Sequence, residues 1–286
     1  MSMPEDFFFT EFDEIKKIIM NSEKVYLYDT VLISHNEQTY FKTGELMVRD
    51  FIGADVVIII EAVYKEMLAA NKSETGLSQR YVDYLSQFKT VIYVDEACLF
   101  NLIGYKYSQG IVPNMRKMVK MAFRSRVELV TVLSDVEMTK TEQDIIDHIH
   151  ENFNDGQNYK EYSLIWTAFV IHEVFPKTLC NFIGADNDLF GLYLDCYLKE
   201  ELKVHNSGKP FIKAWISSTE TILASKIDED HIHRLISAYR DTHMANRKII
   251  YREYLNGILS LHLVNKIFTN EVFYDEVKNK LVHIVY

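Results

Sequence analysis

Short apolar runs recur through the first two hundred residues. They lie at residues 25–29, 56–60 (Val-Val-Ile-Ile-Ile), 91–94 (Val-Ile-Tyr-Val) and 179–183. Each has strand length, and an acid lies at its end or within three residues of it. Between them the apolar positions return at helical spacing, as with Val63, Met67 and Leu68 on one face. Strands alternating with helices predict a parallel sheet covered on both faces, which requires strands that are apolar throughout.

The remaining chain reads as helical. Residues 6–20 form an acidic, aromatic-rich segment of helical character, and the polar stretch Asn71 to Ser78 leads to another helix. Residues 100–160 are mostly helical. There Asn114 is expected to cap a helix with Met115, Met118, Val119, Ala122 and Phe123 inward and Arg116, Lys117, Lys120 and Arg124 largely opposite. From about 216 the chain is expected to be helical throughout. Ser217 and Glu220 have capping-box spacing, and Ile232, Leu235, Ile236 and Tyr239 repeat at helical intervals. The expected division is therefore an α/β domain over 1–215 with a helical insertion at about 100–155, followed by a helical domain over 216–286.

Composition narrows the class. The 286 residues are 48% hydrophobic and 25% charged, which is ordinary for a globular protein able to bury a core without staples. Cys98, Cys180 and Cys196 have no metal-ligand spacing and read as reduced thiols. The longest apolar run, Val56 to Ile60, is far shorter than a membrane span, and the N-terminus lacks a basic region before an apolar stretch. A cytoplasmic protein without membrane contact is expected. The net charge of −10 argues against bulk duplex binding, although a nucleic-acid enzyme needs only a local basic face.

Acids recur where strands end. Asp29-Thr30 closes the first apolar run, and Glu66 follows Val63 just beyond the second. Glu161 opens the apolar segment before the last strand, and Asp186 and Asp188 flank Asn187 after Phe182-Ile183-Gly184-Ala185. In this order and context they resemble the motifs of PIN-domain nucleases, over roughly residues 24–200. The resemblance implies a three-layer α/β/α fold with a central parallel sheet and a metal-dependent nuclease, most often acting on RNA. Asp29, Glu66, Glu161 and Asp186 would be catalytic metal ligands, with Asp188 auxiliary. Several carboxylates in one cleft repel one another unless a cation neutralises them, and all-oxygen ligands select Mg²⁺ or Mn²⁺. Two such ions can activate water and stabilise a leaving oxygen.

The chain departs from the PIN pattern at Val31, which replaces an asparagine, and at Gly184-Ala185, which replace hydroxyl and amide residues. Glu61, Asp95 and Glu96 read as helix-start charges or caps. Arg116, Lys117, Lys120 and Arg124 are the first candidates for RNA phosphate contact, and Arg247, Lys248 and Arg252 the second. Members of this kind include toxins and defence effectors restrained by a regulatory or inhibitory protein partner. The competing expectation is a catalytically silent PIN-like interaction module. A magnesium-dependent phosphatase of another α/β fold is a third, disfavoured by the lack of Asp-x-Asp after the first strand. His148 with His150, and His231 with His233, have spacing that puts each pair on different helix sides, no glycine-rich phosphate loop exists, and Ser34 beside His35 makes no triad.

Overall fold

The computed structural model describes residues 5–70, 76–153, 158–198, 214–228, 231–243 and 247–286. Part of the polar connection from Asn71 therefore lies outside the described residues. Six parallel strands form the central sheet: β1 (Phe8–Phe9), β2 (Lys24–Tyr28), β3 (Val56–Ile60), β4 (Thr90–Val94), β5 (Leu179–Ile183) and β6 (Ala214–Ser217). Their spatial order is β1-β4-β3-β2-β5-β6. Helices cover the sheet, giving the expected three-layer α/β/α architecture.

The apolar runs explain why these segments pair. Val57, Ile58 and Ile59 are fully buried, as are Val25, Leu27 and Phe182. Such strands have no face to give to water, so only a sheet sandwiched between helices accommodates them. The helix Tyr159–Val174 is buried at every position from Glu161 to Ile171, as suits a central element between layers. A chain of polar groups crosses the core beside it. Tyr28 and Tyr84 share a hydroxyl hydrogen bond of 2.7 Å, Asn36 donates to Tyr28 at 2.5 Å, and Thr219 donates to Asn36 at 3.0 Å.

Strand order locates the functional edge. From β2 the chain adds β3 and β4 on one side, then crosses to add β5 and β6 on the other. The switch therefore falls between β2 and β5, and their carboxyl ends flank the crevice where such sheets bind ligands. Asp29 follows β2 directly, and its amide donates to Ile183 O of β5 at 2.8 Å.

Several element expectations are corrected. Residues 6–20 contain the edge strand β1 and the helix Phe12–Met20, not one helix. The helix assigned to Asn114 begins at Ile111, so Pro113 sits in its first turn, where its missing N–H costs nothing. It ends at Ala122, leaving Arg124 beyond it. Ser218 rather than Ser217 caps Thr219–Ala224, accepting from Thr221 N.

The C-terminal part carries the expected helices but is not helical throughout. The boundary at 215 falls inside β6, and a second, antiparallel sheet follows. It contains β7 (Lys248–Leu255), β8 (Ile258–Leu259), β9 (Val264–Ile267) and β10 (Val282–Ile284). Asn256 and Gly257, at φ 51° and 79°, make the two-residue turn between β7 and β8.

Candidate functional site: an acidic cleft centred on Lys160

Four of the predicted acids reach the carboxyl edge of the sheet by different routes. Asp29 occupies the N-cap position of Thr30–Thr43, directly after β2. Glu66 lies in the second turn of Glu61–Ala70, which continues from β3 without a loop. Glu161 is in the first turn of Tyr159–Val174, and Asp186 caps Asn187–Tyr193 by accepting from Asp188 N at 2.8 Å.

Three of these four meet on one cation. The Lys160 ammonium is 2.8 Å from Asp29 Oδ1, 3.0 Å from Glu66 Oε2 and 3.2 Å from Glu161 Oε1. Asp29 is wholly buried and Glu161 nearly so, whereas the Glu66 side chain is 48% exposed. Neither oxygen of Asp29 makes a well-aligned hydrogen bond, although Oδ1 is ion-paired with Lys160. Asp186 is close enough to act electrostatically on both Asp29 and Glu161.

The charge states follow from burial and this pairing. Burial lowers the proton affinity of the Lys160 amine, but Asp29, Glu161 and Glu66 together outweigh it and hold the ammonium above the ordinary lysine range. Burial pushes the carboxyls of Asp29 and Glu161 up, and Lys160 opposes both shifts. Lysine is therefore the firmly charged member of the cluster.

Around it lies a cleft of about 710 Å³. Among the described residues, six carboxylates line it (Glu61, Glu66, Asp95, Glu96, Glu161 and Asp186) against two lysines, Lys65 and Lys160. Such a wall repels a phosphodiester backbone unless a further cation enters. At the outer rim Tyr159 donates to Glu96 Oε1, and His150 Nε2 lies 2.8 Å from the same oxygen. Asp95 is the N-cap expected of it, accepting from Cys98 N at 2.7 Å. A separate depression of about 690 Å³ lies at the amino ends of the strands, beside Lys24, Val56 and Thr90, and contains no comparable convergence of acids.

Other candidates lie elsewhere. Asp188 is exposed and lines a depression that shares Asn158 with the acidic cleft, rather than the cleft itself. None of Arg116, Lys117, Lys120 and Arg124 lines the cleft, and Arg116 donates to Thr139 at 2.9 Å within the insertion. Arg247 is mostly buried and pairs with Glu220 at 2.6 Å, which gives it a structural role.

Sequence reasoning missed Lys160 and Tyr159, and weighed His150 only as half of a metal pair with His148. The signal for Lys160 was present: a cation in the first turn of a helix opposes the helix dipole and needs a local anion to justify it. Its neighbour Glu161 supplied half of that answer.

The donor set suits a hard divalent ion, since it is all carboxylate and includes a buried Asp29 oxygen that makes no well-aligned hydrogen bond. The ligating arrangement is not preformed. Among the described residues no three acidic, His or Cys side chains are set to hold a metal ion, and the Lys160 ammonium stands where Asp29, Glu66 and Glu161 meet. Comparisons with protein-family models, curated proteins and solved structures give no match.

Proposed function

We propose that this chain is a PIN-like, metal-dependent ribonuclease, with Asp29, Glu66, Glu161 and Asp186 as its acidic centre. The observation that carries this reading is the meeting of Asp29, Glu66 and Glu161, from three separate segments, on one cation at the switch point of a parallel sheet. A merely structural ion pair needs one carboxylate per ammonium, so the surplus of acids calls for a ligand of higher positive charge.

Mg²⁺ or Mn²⁺ would be held by Asp29, Glu66, Glu161 and Asp186. When bound, such an ion supplies an activated water and offsets charge on the leaving oxygen of a phosphodiester. The chain's own residues do the positioning. Asp29 is fixed by burial, Asp186 by its hydrogen bond from Asp188 N, and the more exposed Glu66 can adjust as substrate enters.

The test is cleavage of a panel of structured and single-stranded RNAs with and without Mg²⁺ or Mn²⁺. Cleavage that a chelator stops, and that Asp29→Asn lowers by at least about a hundredfold with the fold intact, is expected. Full activity of the Asp29→Asn protein excludes this site.

A second reading has one specific observation in its favour. Lys160 fills the centre with the chain's own positive charge and offsets part of its acidity, as a catalytically silent PIN-like interaction module would require. Absence of both metal binding and RNA cleavage in the intact protein would favour it.

A further inference from the structure

We propose that Lys160 and a divalent cation compete for one position, so that metal enters only as the lysine leaves. The proposal rests on the metal-dependent reading and adds to it a cation exchange at the same site.

The geometry leaves one seat. The ammonium has three N–H donors, and three carboxylate oxygens stand within 2.8–3.2 Å of the nitrogen. An ion placed to bind the same oxygens would lie almost on the nitrogen itself. Two like charges that close, in a site where Asp29 and Glu161 are shielded from water, repel too strongly to coexist. Sharing is therefore excluded.

The lysine also has an exit. Its four-carbon stem rotates freely once released, and its backbone lies at the start of a helix on the cleft wall. Glu66, the most exposed of the three acids, is the partner it can give up first. Oδ2 of Asp29 is buried and makes no well-aligned hydrogen bond, which leaves a second carboxylate oxygen open to a metal ion. Once displaced, Lys160 projects into a cleft that Lys65 also lines.

The experiment uses Mn²⁺ as the probe and the full chain throughout. Mn²⁺ affinity is measured by titration calorimetry and by the electron paramagnetic resonance signal of the free ion. The proteins compared are the wild type, Lys160→Met and Asp29→Asn. Loss of the competing ammonium should tighten Mn²⁺ binding at least tenfold in Lys160→Met, while Asp29→Asn should weaken it. Binding detected only in Lys160→Met supports the exchange in its strongest form, with the wild-type lysine acting as a lock.

Equal affinity in the wild type and Lys160→Met overturns the exchange and leaves the metal reading standing. No binding in either overturns both. A second measurement needs no substitution. Labelling of lysines by an amine-reactive reagent, read by mass spectrometry, should increase at Lys160 when Mn²⁺ is added to wild-type protein that binds it. Unchanged labelling in that protein overturns the proposal even if Lys160→Met fails to fold.

Discussion

The phenol of Tyr286 donates to the main-chain carbonyl of Asp186 at 2.5 Å, tying the end of the second sheet to the loop bearing the fourth acid. Tyr286 also stacks on Phe190 with ring centroids 4.5 Å apart, and Arg247 lies 5.0 Å from its ring centroid. Phenylalanine at 286 would keep the stacking and remove only the donor. We expect Tyr286→Phe to cost about 0.5–1.5 kcal/mol, the usual range for one such hydrogen bond. Metal-dependent cleavage should fall further than that stability loss explains, since Asp186 loses its external brace. Urea unfolding and cleavage rates on the same preparation test this. A stability loss with undiminished cleavage would show that the contact braces the fold but not the acid.

Gly184 accounts for one departure from the PIN pattern. A Cβ built there would lie 2.5 Å from Leu189 Cδ2 and 3.7 Å from Asp29 Cβ. Leu189 is wholly buried, so it cannot swing into solvent to make room. Glycine at this position leaves room for leucine packing against the base of the site. We predict that Gly184→Ser destabilises the protein by about 1–3 kcal/mol through overpacking. Gly184→Ser combined with Leu189→Ala should recover part of the loss from steric strain. Additive destabilisation in that double-mutant cycle contradicts the account.

Much of the sheet was legible because its strands are buried on both faces. Val56 to Ile60 can scarcely be anything else, and the acids that follow such runs fall at the carboxyl edge by construction. Asp29, Glu66, Glu161 and Asp186 were therefore recoverable from chain order. Lys160 was not sought, since a search for ligands looks for acids and passes over the cation that answers them. Glu161 was as compatible with a solvated first turn as with a site, and only the packing of Tyr159–Val174 reveals its burial. The second sheet was hidden for another reason. Strands β9 and β8 are short and largely exposed, so they lack the apolar runs that mark β2 and β3. The ion pair of Arg247 was not legible because its partner, Glu220, lies 27 residues away in sequence and is wholly buried.

His172 should make stability depend on acidity in a predictable direction. Burial lowers its pKa below the ordinary histidine value of 6.5, with Glu173 opposing and Lys106 assisting that shift. The folded protein therefore keeps the imidazole neutral where the unfolded chain takes up a proton. Its contribution is complete above pH 6.5 and is lost as pH falls from there through the folded-state pKa. Urea midpoints of the wild type should drop more between pH 7.5 and about pH 5.5 than those of His172→Gln, which cannot titrate. Parallel midpoints across that window would remove His172 from the pH response.

Glu220 should prove indispensable to the fold and Arg247 irrelevant to RNA contact. Glu220 is wholly buried between Arg247, at 2.6 Å, and Arg240, at 3.6 Å. Burial opposes the charge on Arg247, but Glu220 raises its proton affinity enough to prevail. Removing the acid leaves guanidinium charge in the interior without its counterion, a change that costs about 3–5 kcal/mol at comparable sites. Glu220→Gln should therefore lower the unfolding midpoint sharply. Arg247→Gln should also destabilise the protein, yet leave the salt dependence of RNA binding unchanged, because phosphate contacts are what set that slope. A flatter slope in a properly folded Arg247→Gln protein would return this arginine to the substrate track.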